Sequence, residues 1–165
     1  MAKRKIRPSV GNWVYLRLKK LWWPVVVARV ENSGAVMFCY FFEGLSAKPT
    51  VEDVLKYTVA DAVHQSKITS EGITDGKWKI IHTDADDDDF RSRWPLPPFL
   101  YYPKVRRVTI YSDTDLCDPV KIETASEDIN VEDLPRDHLE TSISCLLYTS
   151  PSPRDATLSR MPSSA

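Results

Sequence analysis

Long apolar runs are missing from this chain of 165 residues. The longest falls far short of the ~20 residues that span a bilayer, and the N-terminus has no apolar stretch of the secretory-leader kind. Neither a membrane partner nor a secreted product is expected. Glycine is scarce, with five in all, and none belongs to a glycine-rich phosphate loop. No serine sits in a nucleophile elbow, and no histidine–glutamate pair has metalloprotease spacing, so no catalytic residues and no enzymatic activity are expected. The three cysteines, Cys39, Cys117 and Cys145, lie far apart and at no ligand spacing from His64, His82 or His138. That excludes a disulfide framework and gives no reason to expect a metal or cofactor, and it fits a reducing compartment. Cys39, inside an apolar strand, reads as a small core residue.

Acid is also missing, from the first thirty residues. The charged groups there are Lys3, Arg4, Lys5, Arg7, Arg17, Lys19, Lys20 and Arg29, whereas Asp84 and Asp86 to Asp89 form a dense acidic run further on. A net charge of −1 hides this segregation, which suggests a basic face for a polyanion and an acidic linker. The basic cluster Lys3–Arg7 suits a nuclear address or a phosphate contact. The aspartate run is contiguous and cannot aim alternate carboxylates at one ion, so it reads as a solvated strip. With 42% apolar and 27% charged residues, the composition is that of a globular protein of one ordinary domain plus tails.

What is present is a tryptophan-rich hairpin. Val14, Leu16 and Leu18 alternate with Tyr15, Arg17 and Lys19, and then Val25, Val27 and Arg29 alternate with Val26, Ala28 and Val30. Such period-2 patterns predict two strands, about 13–19 and 25–31. Lys19-Lys20-Leu21 makes the corner, and Pro24 fits the start of a strand or an edge. Trp22 and Trp23 are consecutive and must point to opposite sides, so one can enter a core while the other stands at the rim. Asn32-Ser33-Gly34 is a turn signal, and a third, central strand is expected over about 35–42.

Gly11-Asn12-Trp13-Val14-Tyr15, the basic corner, Trp22-Trp23-Pro24 and Val36-Met37-Phe38-Cys39-Tyr40-Phe41-Phe42-Glu43-Gly44 together resemble a PWWP domain. The likeness is good over about 10–44 and loose over 45–82. It implies a small five-stranded antiparallel barrel of PWWP/Tudor type, mainly β with α, followed by one or two helices and an irregular Pro/aromatic-rich extension. It also implies a nuclear, chromatin-associated reader. Its methyl-lysine pocket would use Trp23 with Phe42, or Phe41 if Glu43 is an inserted residue. A quaternary ammonium cannot donate a hydrogen bond and is held by aromatic faces. The remaining cage aromatic of the family falls near Leu21, which is not aromatic; Tyr15 or Tyr40 is a candidate substitute wall. Non-specific DNA binding is the second implication, with Lys3, Arg4, Lys5, Arg17, Lys19 and Lys20 as phosphate contacts. The alternative is a protein-interaction scaffold that keeps the barrel and has a degenerate cage. An exposed pocket containing Trp23 favours the reader, and a Trp23 buried by Arg91–Pro103 favours the scaffold.

The rest of the chain is read in order as follows. Residues 1–9 are expected as a basic disordered arm and 10–83 as the barrel with its helix. Thr50 begins that helix as a cap, and Val51, Val54, Leu55, Val59, Ala62 and Val63 recur at helical spacing; a strand near Leu55–Val59 competes. Gly72–Gly76 reads as a turn and Lys77–His82 as a short strand. Residues 84–103 read as a linker, acidic and then stiff and extended. Its Arg91–Pro103 part, dense in proline and aromatics, either drapes over an apolar groove or offers itself to a protein partner. Residues 104–144 are expected to add a strand over 104–111 and a short acidic helix over 131–139. From about Leu146 the chain resembles sequencing-adapter read-through, so 145–165 is expected to be a disordered, non-native tail.

Overall fold

A computed structural model describes residues 5–102, 104 and 106–141, with Tyr102 described in its backbone alone. The fold is β-rich with a few short helices. Strands β1 (Asn12–Leu18), β2 (Leu21–Val30), β3 (Val36–Phe41), β4 (His64–Thr69), β5 (Lys79–Thr83) and the late β9 (Leu139–Glu140) form one sheet in the order β5-β1-β2-β3-β4-β9. Strands β6 (Phe99–Tyr102), β7 (Arg107–Ile110) and β8 (Lys121–Thr124) form a second, smaller sheet. The first sheet is antiparallel apart from the β4–β9 pair. It is open: among the described residues no ladder joins β5 to β4, so the expected five-stranded ring is not closed by backbone pairing.

The hairpin alternation sorts side chains to two faces, and both are buried. On one lie Val14, Leu16, Trp23, Val25, Val27, Met37, Cys39, Phe41 and Ile68, capped by Ile73 of helix α2 (Glu71–Thr74) and by Trp78. On the other lie Trp13, Val26, Ala28, Phe38, Tyr40 and Phe42, covered by Val54 of α1 (Val51–Leu55), Phe90 of α3 (Asp88–Arg93), and Trp94, Phe99 and Leu116. One deviation matters. Simple alternation groups Arg29 with Val25 and Val27, but a bulge shifts the register from Val27↔Cys39 to Arg29↔Phe38. Arg29 thereby moves to the second face, where its guanidinium donates to the Trp94 carbonyl at 2.9 Å and to Asp113 at 2.7 Å. A bulge commonly re-aims one side chain in this way.

Other expectations are corrected. The helix from Thr50 does begin with a capping box, Thr50 Oγ1 accepting from the Asp53 amide. It stops at Leu55, and after a 3-10 turn at Val59–Asp61 the chain enters β4, which the sequence reading missed. The Gly72–Gly76 turn is largely α2. The acidic run is not a linker: Asp84 accepts from the Trp13 indole at 2.9 Å, Asp87 caps α3, and Asp86 pairs with Arg91 at 2.7 Å. Trp94 and Phe99 are buried against the chain's own sheet, so the stretch from Trp94 to Phe99 covers the second face; Pro103, the end of the expected segment, lies outside the described residues. The stretch over 131–139 is a 3-10 turn, Val131–Asp133, followed by β9.

Candidate functional site

The proposed pocket residues are placed in three separate environments. Trp23 is 4% exposed, and its indole N–H donates to the Leu18 carbonyl at 3.2 Å. The Gly44 backbone lies over it so closely that a Cβ there would stand 2.9 Å from both Trp23 Cε2 and Leu21 Cβ. Phe41 shares that core, 6.2 Å from Trp78 by ring centroids. Phe42 faces the opposite core, stacked on Tyr57 at 4.3 Å. Tyr40 is buried with Trp94, and its hydroxyl donates to the Pro95 carbonyl. Burial pushes the Tyr40 hydroxyl well above its ordinary range, with Arg29 pulling the other way. Trp23 is therefore not covered by the segment holding Trp94, Leu96 and Phe99, which packs on the other face; its own hairpin and the Gly44 segment enclose it.

The indole at the rim is Trp22, not Trp23. It is half-buried and meets Tyr15 edge-on, with centroids 5.3 Å apart and planes at 68°. The Arg17 guanidinium lies 4.8 Å over Trp22, and the Lys48 ammonium 5.2 Å over Tyr15. Register explains the grouping: Tyr15, Arg17 and Trp22 share a face through the pairs Tyr15↔Pro24 and Arg17↔Trp22.

The adjoining corner is a two-residue hairpin loop closed by Leu18↔Leu21. Lys19 and Lys20 both have positive φ, 53° and 67°. Such loops require left-handed backbone at both positions, and Asn-Gly supplies it most cheaply. A non-glycine residue there costs on the order of 1 kcal/mol each. Both lysines are exposed, so the turn carries two cations outward at a cost to stability. Lys5 is exposed but is not among the residues over the aromatic pair; Lys3 and Arg4 lie outside the described residues.

No family model matches the chain, and comparison with curated proteins and with solved structures likewise gives no match. The site must stand on its own chemistry.

Two further assemblies escaped the sequence reading. Lys67, 6% exposed, sits in an internal box. Its ammonium donates to Asp137 at 2.8 Å and to the Leu116 carbonyl at 3.4 Å, and lies 4.0 Å from the Tyr111 ring centroid and 5.2 Å from that of Phe99. Asp137 also accepts from Thr109 at 2.6 Å and from Tyr111 at 2.7 Å. Burial works to raise the Asp137 carboxyl, but these three donors hold it below the usual carboxylate range. Desolvation and the Asp137 charge push the Tyr111 hydroxyl up. Nothing in the sequence brings Lys67, Tyr111 and Asp137 together, because their encounter depends on β9 returning to β4.

The second assembly surrounds Glu140, 4% exposed, which receives His64 Nε2 at 2.9 Å and His138 Nε2 at 3.5 Å. Burial opposes its charge, while His64 and the nearby Ser66 hold the carboxyl below its ordinary value. Ser66 Oγ does so without a hydrogen bond of full geometry, and its hydroxyl is otherwise unpartnered. Among the described residues no group of three His, Cys, Asp or Glu side chains is arranged to hold a metal ion, and no helix is long and apolar enough to cross a membrane.

Proposed function

We propose that this chain is a non-catalytic, chromatin-associated module that grips DNA phosphates through the β1–β2 corner. The observation that carries this reading is the loop itself. Lys19 and Lys20 occupy two left-handed positions beside Arg17, Lys48 and the half-buried Trp22. Cations on a hairpin neutralise phosphates at fixed spacing, and the aromatic pair holds Arg17 and Lys48 over its ring faces beside the corner. In this reading the first five strands are a PWWP/Tudor-type barrel left open between β5 and β4, where Trp78 and α2 fill the gap. Nuclear residence follows from the ligand.

Methylated-lysine recognition would need Leu21 and Gly44 to move off Trp23. The burial of Trp23, Phe41 and Phe42 favours the second reading for the histone side: an interaction module whose cage is degenerate. The two halves are tested separately. Retention of short duplexes of unrelated sequence is measured against salt for the native chain and for Lys19→Glu with Lys20→Glu. Removing two phosphate contacts lowers the slope of log K against log salt by about two units, since each contributes ~0.9. Unchanged retention rejects the corner as the site. Trimethyl-lysine histone peptides are expected to bind no more tightly than unmodified ones; a preference abolished by Trp23→Ala would restore the reader.

A further inference from the structure

The outer edge of β4 is only partly occupied. β9 pairs with it at Lys67 and Ile68, and over His64–Ser66 the edge has no strand partner among the described residues. The reason is a fork. The strap leading into β9 leaves β4 for the second sheet, where the Leu100 amide donates to Pro135 O at 2.8 Å and the Asp137 amide donates to Leu100 O at 3.0 Å. A cavity of about 480 Å³ opens in the fork, lined on one side by His64, Gln65 and Ser66 and on the other by Glu132 to Arg136.

We propose that this fork receives an extended segment of a partner protein, added as a strand to β4 and built of alternating apolar and basic residues. Free strand edges are ready templates for pairing, and natural proteins usually cover them. Successive side chains of an added strand face opposite ways, and the cavity lining is both apolar and acidic. Val59 and Val63 line it, 43% and 49% exposed. Glu132 and Asp133 line it too, neither carboxylate has an ion pair among the described residues, and the two outnumber the one arginine of the lining, Arg136. Apolar side chains of the guest meet the valines and its cations meet the two acids. This site is independent of the lysine corner.

The test uses the whole chain and a peptide of about nine residues alternating valine and lysine, the length of an ordinary strand. Amide shifts are expected at His64–Ser66, and Glu132→Lys with Asp133→Lys should weaken binding about tenfold, as two partly screened ion pairs imply. A peptide alternating valine and glutamate should bind the native chain worse and the double variant better. N-methylation of alternate peptide amides should abolish binding, because strand addition depends on main-chain hydrogen bonds. Absence of binding at millimolar peptide, shifts confined to residues 17–22, or indifference to the double variant would each overturn the proposal. So would a peptide-free dimer protecting His64–Ser66 from hydrogen exchange, which would make a second copy the occupant. DNA retention of the native chain should be unchanged by saturating valine–lysine peptide, and Lys19→Glu with Lys20→Glu should leave peptide binding at His64–Ser66 intact, so the two sites fail separately.

Discussion

Replacing Trp94 by alanine tests whether the segment after the acidic run belongs to the core. The side chain is 1% exposed and touches Trp13, Tyr40 and Phe42, with ring centroids 5.5, 5.3 and 5.7 Å away. A tryptophan buries ~150–250 Å², worth about 4–6 kcal/mol at ~25 cal/mol per Å². Alanine keeps a fraction of that, and a cavity penalty adds to the loss, so Trp94→Ala should cost about 3–5 kcal/mol. Against a total stability of ~5–15 kcal/mol this is severe. Trp94→Phe is the control. The indole Nε1 is buried without a hydrogen-bond partner, and removing an orphaned donor recovers about 1–3 kcal/mol. That gain offsets the smaller cavity, so phenylalanine should lie within about 1 kcal/mol of the native chain. Urea unfolding followed by far-ultraviolet circular dichroism measures both. An alanine variant within about 1 kcal/mol of native would show that this segment does not hold the second face, and the linker reading would return.

Asp137→Asn leaves the Lys67 ammonium buried without a counter-charge and should cost about 3–5 kcal/mol in the same assay, whereas Lys67→Met combined with Asp137→Leu should recover much of it. Acid should loosen the same strap. The Asp137 and Glu140 carboxyls are held below their unfolded values, so their contribution is complete above about pH 4 and is lost as pH falls through the folded values. Urea midpoints between pH 6 and 2.5 should decline in that acid range, less so in Asp137→Asn; parallel curves would refute it. Lys19→Asn with Lys20→Gly should raise stability by about 1–2 kcal/mol by relieving two left-handed lysines, while DNA retention falls. Gly72→Ala should destabilise, since a Cβ there would stand 2.7 Å from Trp78 Cε2, an overpacking worth about 1–3 kcal/mol.

The hairpin and β3 were legible because period-2 alternation, turn signals and aromatic density agree over residues 13–42, although β2 begins at Leu21 and not near Val25, so that Pro24 lies inside a central strand and not at its start. β4 was not, since His64-Gln65-Ser66-Lys67-Ile68-Thr69 offers a single apolar residue and is a strand only through its ladder to β3. The helical spacing from Val51 to Val63 misled for a related reason: Val51, Leu55, Val59 and Val63 all face water, so no core rewards a long helix. A second capping pair, Thr58 with Asp61, then restarts the chain. The aspartates were read by their charge, although each of Asp84, Asp86 and Asp87 finds a donor. Trp22 and Trp23 must oppose one another on sequence grounds, but which one enters the core depends on Gly44 closing over Trp23, a contact between residues 21 apart.

The pairing of Lys67 with Leu139 and of Ile68 with Glu140 spans more than seventy positions. During synthesis at ~5–20 residues per second, β4 emerges several seconds before the strand that finishes its border. For that interval Lys67 lacks its aspartate, and the central sheet presents a bare flank to every other nascent chain nearby. Completion of the N-terminal half is therefore timed by the arrival of the C-terminal half. A substitution that slows the strap's docking will show itself first as lost yield at the ribosome, well before any change in the finished molecule.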